Sequence, residues 1–327
     1  MVKRNTAVLC AFLAVLYFFV TKKYYPPPNP SSSCVVVTGA SSGIGRHAAL
    51  ALAHRGYVVF AGVRKAKDGD SLTAEFSSPK PSSSSSSSAS GGELFPVILD
   101  VQKAATITAA AATVGEKCAA SGRTLTALVN NAGVQELTSL ELATPSTIKS
   151  IFEVNVYGLI QTTAAFLPQL RLSPTPRLVN TGSVAGFVTP PFFGAYSGTK
   201  HAVEALTDAY RAELIPWGVS VSLLQPGGID TEIEGKMIAQ SEAHILSDPS
   251  GLYRTRMEAY NSGLKLMTSP RLRPYLLTST SVTTQKIVHA IEAPYPNTRY
   301  LVGLDAWGVW ALQFLPDRVG DRLMGLF

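Results

Sequence analysis

Short apolar runs alternate along this chain with longer stretches in which Ala, Leu and Ile recur every three or four positions. The run CVVVT at 34–38 is β-branched, which suits a strand covered on both faces. Comparable runs stand at 57–63, 94–99, 125–129, 178–182 and 219–225. Between them the spacing turns helical: RHAALALAHRGY after residue 45, an Ala-rich stretch at 103–121, a long stretch at 145–170, and AYSGTKHAVEALTDAYRAEL from residue 195. Six strands alternating with helices predict a single α/β domain on a doubly wound parallel sheet, spanning 34–305. RYLVG at 299–303 fits a last strand, and 306–327 an apolar C-terminal helix.

Three segments break this rhythm. Residues 5–21 hold no charge and lie between Lys3-Arg4 and Lys22-Lys23. As a helix they would extend about 26 Å, so a transmembrane anchor is expected there, with PPPNPSSS in 22–33 as a stiff linker. Residues 68–92, with seven consecutive serines at 82–88, bury too little apolar surface to fold and are expected as a mobile loop.

Composition adds little to this picture except by position. The 327 residues are 46% hydrophobic, enough for a full core. Four of the six net positive charges come from the flanks of 5–21, and the remainder is nearly balanced, which excludes a nucleic-acid footprint. Cys10, Cys34 and Cys118 match no metal or redox spacing and read as small apolar fillers in a reduced compartment. No metal site is expected.

The candidate chemistry gathers where predicted strands end. Ser183 follows the run 178–182, and Tyr196 and Lys200 lie one helical turn apart shortly after it. A phenol with a pKa near 10 is a poor acid or base at neutral pH unless a neighbouring cation favours its ionised form, and Lys200 is that cation. After the strand at 34–38 come Gly39, Ser41, Ser42, Gly43, Ile44 and Gly45, then a helix; strand, glycine turn and helix are what a dinucleotide pyrophosphate requires. Arg64 ends the second strand where an acid often serves the ribose hydroxyls. Asp100 closes the third, Asn131, Ala132 and Gly133 follow the fourth, and Pro226, Gly227, Ile229 and Thr231 the sixth. Asn155 in the apolar FEVNVYGLI is costly to bury unless it organises something.

These motifs together, TGASSGIG at 38–45, LDV at 99–101, NNAG at 130–133, Asn155, Ser183, YSGTK at 196–200 and PGGIDT at 226–231, resemble the commonest subgroup of the short-chain dehydrogenase/reductase family, over 33–231. The tail after 299 is weakly similar to steroid- and retinol-type members. The resemblance implies a Rossmann-type fold and an oxidoreductase acting on a CH–OH group. Tyr196 is then proton donor or acceptor, Lys200 lowers its pKa and holds the nicotinamide ribose, Ser183 bonds the substrate oxygen, and Asn155 holds a water leading to Lys200. Asp100 and Val101 would meet the adenine, Asn131 to Gly133 the adenosine side, and Ile229 and Thr231 the nicotinamide amide. NADP(H) is expected ahead of NAD(H), from Arg64 and the nearby Arg46. The segment 232–277 is expected to form the pocket of a lipophilic alcohol or ketone reached from the endoplasmic reticulum membrane, and a homo-oligomer is a candidate assembly. The alternatives are a catalytically silent nucleotide-binding scaffold or a membrane adaptor on the same fold.

Overall fold

A computed structural model describes residues 23–78, 91–247, 251 and 253–324. Among these residues seven strands form one sheet: β1 (Ser33–Val37), β2 (Val58–Val63), β3 (Glu93–Ile98), β4 (Thr124–Asn130), β5 (Arg177–Thr181), β6 (Ser220–Pro226) and β7 (Arg299–Val302). Their order is β3-β2-β1-β4-β5-β6-β7, every neighbouring pair parallel. Each parallel pair needs a crossover, and helices supply them on both faces. In chain order these are α1 (Gly43–His54), α2 (Ala66–Ser77), α3 (Ala104–Ala120), α4 (Pro145–Phe152), α5 (Gly158–Leu170), α6 (Gly194–Glu213), α7 (Ile233–Ser247), α8 (Arg254–Met267), α9 (Arg273–Leu276), α10 (Thr280–Glu292), α11 (Leu304–Leu312) and α12 (Asp317–Met324).

The strand period of two divides the core. Val35 and Val37 join Ala49 and Leu52 of α1 and Ile287 and Ile291 of α10 on one side of the sheet. Cys34 and Val36 join Val114 of α3 and Phe166 and Leu170 of α5 on the other. The strand is buried at every position, hence its continuous apolar run, and each valine so buried contributes on the order of 2 kcal/mol. Because β1 pairs with β2 on one side and β4 on the other, the sheet order reverses between β1 and β4. A crevice for a ligand forms at the carboxyl tips of such a pair.

Several expectations are corrected. No helix among the described residues is long and apolar enough to cross a membrane, and 5–21 lies outside them. The transmembrane anchor, the membrane partner, the membrane adaptor and the endoplasmic reticulum location are withdrawn with it.

The start of the expected mobile loop is instead α2. Leu72 is fully buried, and Gly69 packs so closely on Pro96 of β3 that a Cβ there would lie 2.6 Å from the ring. That contact supplies the burial the local composition lacks; the serine run itself lies outside the described residues. The C-terminal stretch is two helices, α11 and α12, separated around Pro316. The long helix at 145–170 is interrupted by a π-turn, Glu153–Tyr157, closed by the Gly158 amide donating to Glu153 O. Cys34 and Cys118 are joined as a disulfide, Cα atoms 6.3 Å apart, because α3 packs directly over β1. Cys10 lies outside the described residues.

The expected linker is partly pinned. Arg177, fully buried at the start of β5, donates to Pro26 O (2.7 Å), Ile291 O (3.0 Å), Tyr25 O (3.4 Å) and Pro176 O (3.4 Å). Its ring neighbour Tyr25 in turn donates its amide to Pro294 O, 2.8 Å. Burial draws the guanidinium down to about 10, yet carbonyl oxygens surround it and it stays charged at neutral pH. Removing it leaves buried acceptors without partners. Arg177→Ala should cost about 3 kcal/mol or more in chemical denaturation; a loss below about 1 kcal/mol would mean that water replaces the guanidinium.

Candidate active site

Thr38, the residue closing β1, is 1% exposed and builds the crevice. Its hydroxyl oxygen accepts from the amides of Asn131 and Ala132, both at 2.9 Å, while Asn131 Nδ2 donates to Thr38 O at 3.1 Å. The glycine turn and the tip of β4 are thus drawn together, and the turn must be glycine. Gly39 has φ +65°, and a Cβ there would lie 2.8 Å from Ala132 Cα; one on Gly45 would lie 2.3 Å from Gly39 O. Ser42 begins α1 without a side-chain cap, and no acid stands in the first turn, so the positive helix end faces the turn. Across from it, a Cβ on Gly43 would meet Thr231 Cγ2 at 3.3 Å, so the loop after β6 faces the glycine turn. An uncapped helix end beside closely packed glycines fits a dinucleotide pyrophosphate.

The remaining nucleotide-side residues divide. Ser41 contributes its carbonyl to Arg46 (3.5 Å), and Ile44 packs partly into the core. Arg46 is committed elsewhere, pairing with Glu75 at 2.6 Å and donating to Ser71 O at 3.1 Å. Arg64 is exposed just past β2. Asp100 forms a turn, its Oδ1 accepting from Gln102 N at 3.2 Å, and Val101 packs on Gly158, where a Cβ would lie 2.8 Å away. Pro226 ends β6, the Gly227 amide donates to Val302 O at 3.0 Å, and Ile229 bridges to Thr278.

Ser183, Tyr196, Lys200 and Asn155 converge. Ser183 opens the 3-10 turn Val184–Gly186, its Oγ accepting from Ala185 N at 3.1 Å and donating to Pro226 O at 3.5 Å, and it lies beside the Tyr196 phenol. Lys200, 6% exposed, lies one turn along α6; its Nζ is 5.6 Å from the Tyr196 ring centre and donates to Thr181 O at 2.9 Å. Asn155 sits in the π-turn. Its Oδ1 accepts from Val134 N (2.8 Å), and its amide hydrogens go to Val134 O (2.8 Å) and Thr199 Oγ1 (3.0 Å). Both hydrogens are spent, so the side chain locks the tip of β4 onto α6. A Cβ on Gly133 would lie 3.4 Å from Asn155 Oδ1 and 3.9 Å from Lys200 Nζ, which ties this tip to the same site.

Electrostatics here differ from the simple expectation. Tyr196 retains some surface, but its hydroxyl is enclosed, and burial pushes it up to about 12 against the lowering effect of Ser183 beside it. Burial also draws Lys200 down to about 8. Desolvation outweighs the attraction between them because Lys200 directs its hydrogen bond at a carbonyl rather than at the phenol.

The family model described as short chain dehydrogenase matches residues 33–242. The chain belongs to that family. This short-chain dehydrogenase is an oxidoreductase acting on CH–OH groups through an NAD(P)-binding fold. It is 32% identical over 293 residues to 17-beta-hydroxysteroid dehydrogenase type 6 of Rattus norvegicus, covering 88% of this chain and 86% of that one. It is 31% identical to retinol dehydrogenase 16 of the same organism, with the same coverage of 88% and 86%. Its fold matches the crystal structure of a short-chain dehydrogenase from Streptomyces avermitilis with a TM-score of 0.70, at 24% identity, over 91% of this chain and 97% of that one.

Sequence reasoning missed Thr38 and Thr199 as individuals although both lie inside quoted motifs. Thr199 Oγ1 donates to Tyr196 O at 2.6 Å while accepting from Asn155, and so couples the two. The segment 232–277, expected to form the pocket, supplies Met237, Tyr253, Met257, Tyr260 and Leu264 to a wall beside Tyr196, but Leu137, Phe192 and Phe193, which complete that cluster, were missed. Phe193 stands edge-on to Tyr196, 6.0 Å between centroids, with Tyr260 5.9 Å beyond, and Phe192 holds φ at +67°. These residues come from four separate segments, around 137, 192–196, 237 and 253–264.

The depressed lysine has a thermodynamic consequence. With Lys200 near 8 when folded and 10.5 as its ordinary value, the unfolded chain binds more protons between those limits, so stability rises with pH across that window. Lys200→Met removes the buried charge. Its urea midpoint at pH 7 should equal or exceed that of the parent, and the gap should shrink by about pH 9.5, where the parent lysine is neutral. A deficit of equal size at both pH values would show that the bond to Thr181 outweighs the desolvation.

Proposed function

We propose that this chain is an NADP(H)-dependent dehydrogenase that interconverts a lipophilic alcohol and its carbonyl, of the steroid, retinoid or long-chain type. The observation that carries the reading is the position of the Tyr196 phenol, with Ser183 on one side and a wall of Leu137, Phe193, Met257 and Tyr260 on the other. When bound, the nicotinamide supplies or accepts the hydride. Tyr196 gives its proton to the carbonyl oxygen in reduction and takes it back in oxidation. Ser183 bonds the same oxygen and stabilises charge developing there. Lys200 lies behind the phenol, where its cation favours the phenolate once the pocket is filled and water excluded. Asn155 and Thr199 hold that arrangement rigid.

On the nucleotide side, Gly39 to Gly45 would receive the pyrophosphate, Asn131 to Gly133 the adenosine side, Asp100 and Val101 the adenine edge, and Pro226 to Thr231 the nicotinamide end. The names of the rat steroid and retinol relatives support an apolar substrate, as does the aromatic wall.

Tyr196→Phe should lower turnover at least a thousandfold while leaving the cofactor dissociation constant within about threefold, read by NADPH fluorescence titration alongside oxidation rates with ring-bearing and long-chain carbonyls. Retention of more than about a tenth of the parent rate would sink the assignment, and a preference for small hydrophilic carbonyls would sink the substrate class.

Cofactor choice rests on Arg64, which is exposed at the tip of β2 with no acid between 64 and 67. A guanidinium there suits the 2′-phosphate, whereas Arg46 is already paired with Glu75. The parent should favour NADPH over NADH, and Arg64→Ala should reduce the ratio of kcat/KM values by about tenfold or more. Equal use of both cofactors by the parent would refute the preference.

A further inference from the structure

We infer that Asp305, on α11, is a positioning residue for the nicotinamide end of the cofactor site. The first turn of α11 carries one acid, Asp305, and its N-cap is Gly303, which offers no side chain. An acid so placed commonly serves only its own helix end. Here the carboxylate reaches outward: Oδ2 accepts the amide hydrogen of Gly228 at 2.6 Å, a short charge-assisted bond across 77 positions.

The surroundings are shaped for that reach. A Cβ on Gly227 would lie 2.0 Å from Asp305 Oδ2, and one on Gly303 2.3 Å from Oδ1 and 2.7 Å from Thr278 Oγ1. Gly303 also holds φ at +105°, a conformation that favours glycine. Two glycines thus clear the space that one carboxylate occupies.

The loop it holds runs toward the crevice. On its other side, Thr278 N donates to Gly228 O and Asp230 N to Thr278 O, both at 2.8 Å, while Arg273 pairs with Asp230. Thr231, three residues beyond Gly228, faces Gly43 across the crevice. Asp305 and the Thr278 strand segment therefore grip Gly228 from opposite directions, and the grip sets how far Ile229 and Thr231 project toward the glycine turn. The apolar helix α11, with Trp307 and Trp310 edge-on at 6.0 Å, is coupled to that loop through the same residue.

The inference rests on the proposed reading that 226–231 holds the nicotinamide end, and the test separates the two. Dissociation constants are measured by calorimetry for whichever of NADPH and NADH binds more tightly, and for ADP-ribose, which lacks the nicotinamide. The proteins are the parent, Asp305→Ala, Asp305→Asn and Thr231→Ala. Asp305→Ala should weaken the dinucleotide about tenfold and leave ADP-ribose unchanged, while Asp305→Asn, which keeps an acceptor for Gly228, should recover most of the loss. If Thr231→Ala weakens the dinucleotide and neither Asp305 variant does, the loop reading stands and the role of Asp305 is overturned. If none of the three weakens it, the loop reading fails and the inference with it. Equal weakening of both ligands by the Asp305 variants would reduce Asp305 to a structural prop, and if Asp305→Ala does not fold, the same comparison on Asp305→Asn decides, with unchanged dinucleotide affinity at a lowered melting temperature counting against the inference.

Discussion

The hydroxyl of Thr38 ties the two strands at which the sheet reverses its order, and the rest of the site is hung from that tie. By accepting two successive amides from the tip of β4 it brings Asn131 to Gly133 against the glycine turn. The gap left is too narrow for a side chain at Gly39 or Gly45, so the backbone itself lines the crevice. Backbone amides and an uncapped helix end are the groups an anionic diphosphate needs, and their supply follows from close packing rather than from any charged side chain.

From the same strand tip the constraint passes to the catalytic groups. Val134, just beyond Gly133, bonds both ends of the Asn155 amide, and Asn155 passes the connection through Thr199 to the carbonyl of Tyr196. The π-turn matters here because an uninterrupted helix would carry its residues round by 3.6 per turn; one extra residue per turn at 153–157 re-aims Asn155 across the tip of β4. Catalytic geometry is bought with buried polarity: Lys200 and the Tyr196 hydroxyl are both desolvated, and burial pushes the phenol up and the ammonium down. Such a pair is unfavourable for folding alone, which is the mark of groups held for chemistry.

Much was legible in the residues one at a time. The β-branched runs, the glycine turn and the one-turn separation of Tyr196 and Lys200 all follow from local stereochemistry, which depends on near neighbours. The expectations that failed did so for a common reason. α2 is stabilised by Leu72 in the core and by Gly69 against Pro96, contacts invisible to a window whose composition is polar. The segment before β1 is held by Arg177, about 150 positions away. Cys34 and Cys118 meet only because α3 crosses β1.

The sequence by itself determined the parallel α/β class, the order of the strands along the chain, and the candidates for the proton-transfer and pyrophosphate groups, because period, β-branching and glycine placement act over a few residues. Tertiary structure alone decided which strands are neighbours, that Asn155 binds the tip of β4, that a wall from four segments stands beside Tyr196, and that Asp305 reaches Gly228. Those outcomes depend on distances between residues far apart in the chain, which are set by how helices pack on the sheet and not by any local preference.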